Sequence, residues 1–148
     1  MIILGIDPGT AKTGFGVVKI KNSKKRTLKN NLMFLECGLI ETSPSLIAGD
    51  RLKKINLELS RLIKKHRPKV MAVEKVFFFK NLKTIIPVSQ ACGVILFTAA
   101  QKKIPVEQFT PLQVKMTIAG HGWAEKKQVQ KKIKRLLNLE KDIKSDDA

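Results

Sequence analysis

The chain has 148 residues, and 29 Lys and Arg against 12 Asp and Glu give it a net charge of +17 at neutral pH. Such an excess draws in polyanions and points to nucleic acid as the partner, the plain alternative being a solvated lysine-rich surface. The apolar stretches reach only about ten residues and no basic-then-apolar leader precedes them, which excludes a membrane span and a signal peptide. Cys37 and Cys92, the only cysteines, sit in apolar settings that suit small buried hydrophobes rather than a disulfide or zinc site. The expected setting is therefore a reducing cytoplasm, and the length fits one domain over residues 1–148.

Met1–Asp7 reads as a strand, apolar and β-branched until it stops on Asp7 before Pro8-Gly9-Thr10. A carboxylate there needs a cation, a proton or hydrogen-bond donors beside it. A ligand site and a turn shaped by Asp7 with Pro8 and Gly9 both answer that need. Gly14–Ile20 and Leu32–Thr42 read as two further strands joined by the basic, Asn-rich turn Lys21–Asn31, so the first three strands form a meander. From Ser45 to His66 the residues Leu52, Ile55, Leu59, Leu62 and Ile63 recur at helical spacing and Pro68 marks the stop. Val70–Glu74 is a short buried strand that also ends on an acid, followed by a loop, Val76–Asn81, with three aromatics. Pro87 suits the first position of a helix whose apolar face is Val88, Ala91, Cys92, Ile95, Leu96 and Ala99. Ile104–Phe109 is a strand and a short helix follows Pro111. Past the turn Gly120-His121-Gly122, Glu125–Asn138 is a basic helix with Val129, Ile133, Leu136 and Leu137 inward.

The order β-β-β-α-β-α-β-α-α predicts an α/β fold: a mixed sheet of three antiparallel strands then parallel ones, with helices on both faces. Ligands of such sheets collect at the carboxyl ends of strands. Asp7, Glu74 and an acid from Asp142, Asp146 or Asp147 can converge there. Crowded carboxylates repel unless divalent cations lie between them, and oxygen-only ligands select hard ions such as Mg²⁺ or Mn²⁺. Basic blocks around the acids would hold a phosphodiester: six basic residues between Lys19 and Lys29, eight between Arg51 and Lys69, and Lys126, Lys127, Lys131, Lys132, Lys134 and Arg135. Two metals about 4 Å apart would activate water and stabilise the leaving oxygen. No Ser-His, Cys-His or Tyr arrangement offers a protein nucleophile.

The segments GIDPGTAKTGFGVV, VEKVFFFKN, SQACGV and TPLQVKMTIAGHGWAEKKQVQ closely resemble the RuvC family of Holliday junction resolvases, over nearly the whole chain and in the right order. The resemblance implies a ribonuclease H-like fold and a homodimeric endonuclease that binds four-way junction DNA. It further implies paired symmetric nicks made with two Mg²⁺ per subunit, for which Mn²⁺ can substitute, in recombination and repair beside the RuvA and RuvB branch-migration complex. By position, Asp7 and Glu74 match the first two metal ligands. Phe77 resembles the family's aromatic wedge, Lys80 and Asn81 fall in the same DNA-binding loop, and Lys115 and Lys126 match basic residues near the scissile phosphate. Neighbouring Phe78 and Phe79 leave a core role open for Phe77, and helix solvation is the plain role for the two lysines. The family closes with two acids three apart on a helix that continues further. Ungapped counting from Lys126 sets the earlier acid on Asp146, and the family's Asp-Asp-Ala-Ala-Asp pattern sets it on Asp147, the favoured ligand. The final acid and its helix have no counterpart before Ala148.

His121, between two glycines, is read as part of a turn that brings backbone close to DNA rather than as a base or ligand. Trp123 stands where the family has a smaller residue, and could touch DNA, touch a partner or cap the next helix. The rival readings are a junction-binding protein without catalysis and a related ribonuclease H-like RNA-processing nuclease. A sugar-kinase-like phosphotransferase would need a second domain.

Overall fold

The computed structural model describes residues 1–21, 31–76 and 82–139. A five-stranded mixed sheet carries the fold: β1 (Ile2–Asp7), β2 (Lys12–Ile20), β3 (Leu32–Glu41), β4 (Val70–Glu74) and β5 (Val106–Phe109), in the spatial order β3-β2-β1-β4-β5. β1–β2 and β2–β3 pair antiparallel, the latter with a register shift at Val17/Val18, while β1–β4 and β4–β5 pair parallel. The parallel pairs follow from helical crossovers, α1 (Ala48–His66) between β3 and β4 and α2 (Leu82–Gln101) between β4 and β5. α3 (Pro111–Ala119) and α4 (Lys126–Leu137) complete the described chain. The predicted fold class and element order hold.

Strand alternation splits the sheet into two unlike faces. Leu4, Ile6, Val17, Met71 and Val73 are buried on the face covered by α1 and α2, where they meet Ile55, Leu59, Ile63, Ala91, Ile95 and Ala99. The buried Thr98 hydroxyl donates to the Val94 carbonyl and accepts from Asn56 Nδ2 at 2.8 Å, which pins α2 to α1 without an unpaired polar group. On the other face the register aligns Gly5 with Gly16 and Ala72, and Asp7 with Gly14.

Several boundaries depart from the sequence pattern. α1 begins at Ala48 rather than Ser45, with Ile47 as N-cap, and ends at Arg67 in the left-handed conformation. Pro87 lies inside α2, which begins at Leu82. Its missing N–H removes the ladder bond to residue 83 near the helix start, a loss the helix tolerates because the apolar face beyond it is buried. β5 is shorter than Ile104–Phe109 because Lys103 turns left-handed and the Ile104 amide bonds the Ala99 carbonyl to close α2. The expected inward residues of α4, among them Val129 and Ile133, are only half-buried.

Candidate metal and nucleic-acid site

β1 and β4 are parallel neighbours, Ile6 being paired with Val73, so their last residues, Asp7 and Glu74, leave the same edge of the sheet. The turn after Asp7 is held rigidly. Thr13 donates to the Gly9 carbonyl at 2.6 Å, Thr42 donates to the Thr10 carbonyl, and Arg51 Nε on α1 donates to the Thr42 hydroxyl at 2.8 Å. A Cβ on Gly9 would lie 2.1 Å from the Lys12 carbonyl oxygen, so only glycine fits there. These neighbours hold the loop that follows Asp7 at the end of β1.

The two acids interact electrostatically. The Glu74 carboxyl is pushed above the ordinary glutamate value, mainly by burial and next by the negative charge of Asp7, with Lys115 pulling the other way. Asp7, Glu74 and Lys115 therefore share one field, although they come from β1, β4 and α3. A cation between the acids would relieve both the repulsion and the desolvation, and the all-oxygen donor set suits a hard divalent ion.

Asp7 and Glu74 also line a cavity of about 460 Å³ between the sheet and α4, whose floor includes Gly5, Gly14, Gly16 and Ala72. The floor is low because these residues carry little or no side chain; a Cβ on Gly16 would meet nothing within 4 Å. Lys126, Val129, Gln130 and Ile133 of α4 form its opposite wall. A smaller cavity of about 200 Å³ on the other side of the acids is lined by Pro8, Lys75, Val76, Val88 and Pro111.

α3 and α4 are aimed by caps at their first turns. Thr110 and Gln113 exchange side-chain to backbone bonds at the start of α3, with Pro111 in its first turn, and at the start of α4 the Glu125 amide donates to Gln128 Oε1 at 2.9 Å. These caps fix where Lys115 and Lys126 project.

Of the residues singled out from sequence, the structure brings together Asp7, Glu74, Lys115 and Lys126. Phe77, Lys80, Asn81, Asp146 and Asp147 lie outside the described residues, and among the described residues no group of three or more acid, His or Cys side chains surrounds a metal position. Sequence reasoning passed over Gln130, which lines the cavity one turn beyond Lys126. Its signal was a polar residue between Val129 and Ile133 on the helix side read as apolar.

Comparison with known proteins gives one answer at three levels. The family model described as crossover junction endodeoxyribonuclease RuvC matches residues 3–148. Curated relatives include the protein of that name from Pelotomaculum thermopropionicum, 45% identical over 139 residues that cover 94% of this chain and 80% of the relative. That from Halothermothrix orenii is 44% identical over 148 residues, covering all of this chain and 86% of the relative. Among solved structures, Thermus thermophilus RuvC in complex with Holliday junction substrate superposes with a TM-score of 0.89 at 32% identity, over 99% of this chain and 86% of that one. The yeast mitochondrial Holliday junction resolvase Ydc2 shares the fold, with a TM-score of 0.61 at 13% identity.

Proposed function

The chain belongs to the RuvC family of crossover junction endodeoxyribonucleases, and from that premise we propose that Asp7 and Glu74 are the metal ligands with which it resolves four-way junctions. It is a structure-specific, metal-dependent DNA endonuclease with a ribonuclease H-like fold. The observation that carries the site assignment is the raised Glu74 carboxyl facing Asp7 across neighbouring parallel strands, a pair that calls for a cation.

Two Mg²⁺ per subunit are the ions of this reading, with Mn²⁺ as a substitute, and Asp147 or Asp146 is the further ligand. When bound, the metals supply an activated water and charge stabilisation for the leaving 3′ oxygen. Asp7 and Glu74 then act as acceptor-only ligands, held by a turn and a strand end that do not need to move. Lys115, inside the same field, offsets negative charge where the phosphate lies, and Lys126 holds the strand against the wall of the cavity. The basic surfaces of α1 and α4 hold the junction arms by their phosphates. Phe77, Lys80 and Asn81 complete the DNA contact at the junction centre. Residues 1–148 act as one nuclease domain.

Paired nicks need two sites, and α2 supplies the surface for a homodimer: Ile86 (67% exposed), Gly93, Phe97 (60% exposed) and Ala100 form one outward stripe. RuvA and RuvB are the branch-migration partners in this reading. No described helix is long and apolar enough to cross a membrane, and the proposed location is the cytoplasm.

The test is a synthetic four-way junction with each strand end-labelled in turn. Divalent-dependent nicks at symmetric positions in two strands of like polarity, with linear duplex left uncut, are expected. Cleavage that persists in chelator, or that falls equally on duplex, contradicts the proposal.

A further inference from the structure

Resting on the junction-nuclease reading, we infer that Trp123 is a second stacking platform, which lays its indole on an accessible nucleobase face of the bound junction and so selects distorted DNA over duplex. Trp123 is 84% exposed, more than any other large apolar side chain among the described residues. The exposure is built rather than accidental. Gly120, at φ +89°, ends α3 in the left-handed conformation. Gly122 is buried so tightly that a Cβ there would fall 2.1 Å from Leu112 Cδ1. Ala124, on the other side, is fully buried. With both neighbours anchored, the side chain between them is held out into solvent. Among the described residues its one ring contact is His121, at a centroid distance of 6.1 Å and a tilt of 34°. Most of the indole surface is left for a partner.

The surroundings decide the partner's chemistry. Between Gln108 and Leu139 there are seven Lys and Arg against Glu125 alone. An apolar protein surface would bring nothing to match that charge, whereas a nucleic acid supplies phosphates for the lysines and a π-face for the indole. The turn also joins α3, which carries Lys115, to α4, which carries Lys126. In continuous duplex each base face is already covered by its neighbours. At a junction some faces are open, so a ring that needs one favours the junction, while lysine-phosphate contacts favour any duplex equally.

Trp123 is the only tryptophan and the chain has no tyrosine, so intrinsic emission reports this side chain alone. The experiment titrates the protein, in metal-free buffer at fixed salt, with a four-way junction and with linear duplex of the same sequence. Emission and gel retardation are followed separately. Saturable quenching by the junction, with much weaker quenching by duplex, is expected. Trp123→Ala should weaken junction binding by about fivefold or more and duplex binding by less than about twofold, while Trp123→Phe stays within about twofold of the parent. Trp123→Leu, which keeps apolar bulk without a π-face, should behave like the alanine variant. A junction retarded without change in emission, or an alanine variant that loses junction and duplex binding equally, overturns the stacking role and leaves the nuclease reading intact. A concentration-dependent emission shift without DNA, and no response to DNA, assigns the side chain to a protein contact and also overturns it. A junction retarded no better than duplex defeats the nuclease reading, and the stacking role with it.

Discussion

The two faces of the sheet are made from the same five strands and are built to opposite ends. Toward α1 and α2 the strands present Leu4, Ile6, Val17, Met71 and Val73, each at most 4% exposed, and Ile55, Leu59, Ala91 and Ile95 of the helices close over them. Toward α4 they present Gly5, Gly14, Gly16 and Ala72, and a cavity of about 460 Å³ remains above them. α4 itself buries no residue completely. One face specifies the fold and the other is kept bare beside the acids. Period-2 alternation makes this division possible, since residues one apart serve different tasks.

The bare face should show the largest response. Junction affinity is expected to fall by about a thousandfold between low and physiological salt, because the surrounding contacts are mostly Lys and Arg to phosphate. Gel retardation across a salt series checks this, and a flat response would break the assignment of that side to DNA. Lys126→Ala should reduce the salt slope by about one.

Next in size is the contrast in packing. Leu59→Ala, in the filled face, should cost about 3 kcal/mol, and Ile133→Ala, on the half-buried wall of α4, about 1 kcal/mol or less. Denaturant unfolding of both variants measures the difference, and equal costs would mean that the two faces are not packed differently.

A smaller effect follows from the charge at the bare edge. The Glu74 carboxyl is raised, first by burial and then by Asp7, so the folded protein holds that proton more tightly than the unfolded chain does. Its favourable contribution is therefore present below the ordinary glutamate range and is lost as pH rises through the raised value. Metal-free Glu74→Gln should melt above the parent at neutral pH, with the advantage vanishing at acid pH. Mg²⁺ should raise the melting temperature of the parent at neutral pH and do little for the variant. A parent that gains stability on deprotonation would reverse the sign and remove the argument for a cation. The smallest effect is expected for Gly16→Ala, close to neutral in stability because its Cβ points into open space.

The sequence carried the convergence of Asp7 and Glu74 because each acid closes an apolar run, and two parallel strands that end on acids have to present them at the same edge. The spacing of Ile55, Leu59 and Ile63 is an equally local signal. The cavity was not legible, because it depends on Gly5, Gly16 and Ala72 meeting across three strands distant in the chain. Gln130 was missed for the same reason: its meaning depends on what α4 lies over. Pro87 misled because a proline marks a helix start only on average, and here the helix begins five residues earlier.

The central claim is that Asp7 and Glu74 drive metal-dependent cleavage while DNA binding depends on neither acid. The most direct measurement is Asp7→Asn beside the parent protein, with nicking of a four-way junction under single-turnover conditions in Mg²⁺ or Mn²⁺ and gel retardation of the same junction in metal-free buffer. Nicking should fall by about a thousandfold or more while binding stays within about twofold. Near-parental nicking, or loss of binding in step with nicking, would contradict the account.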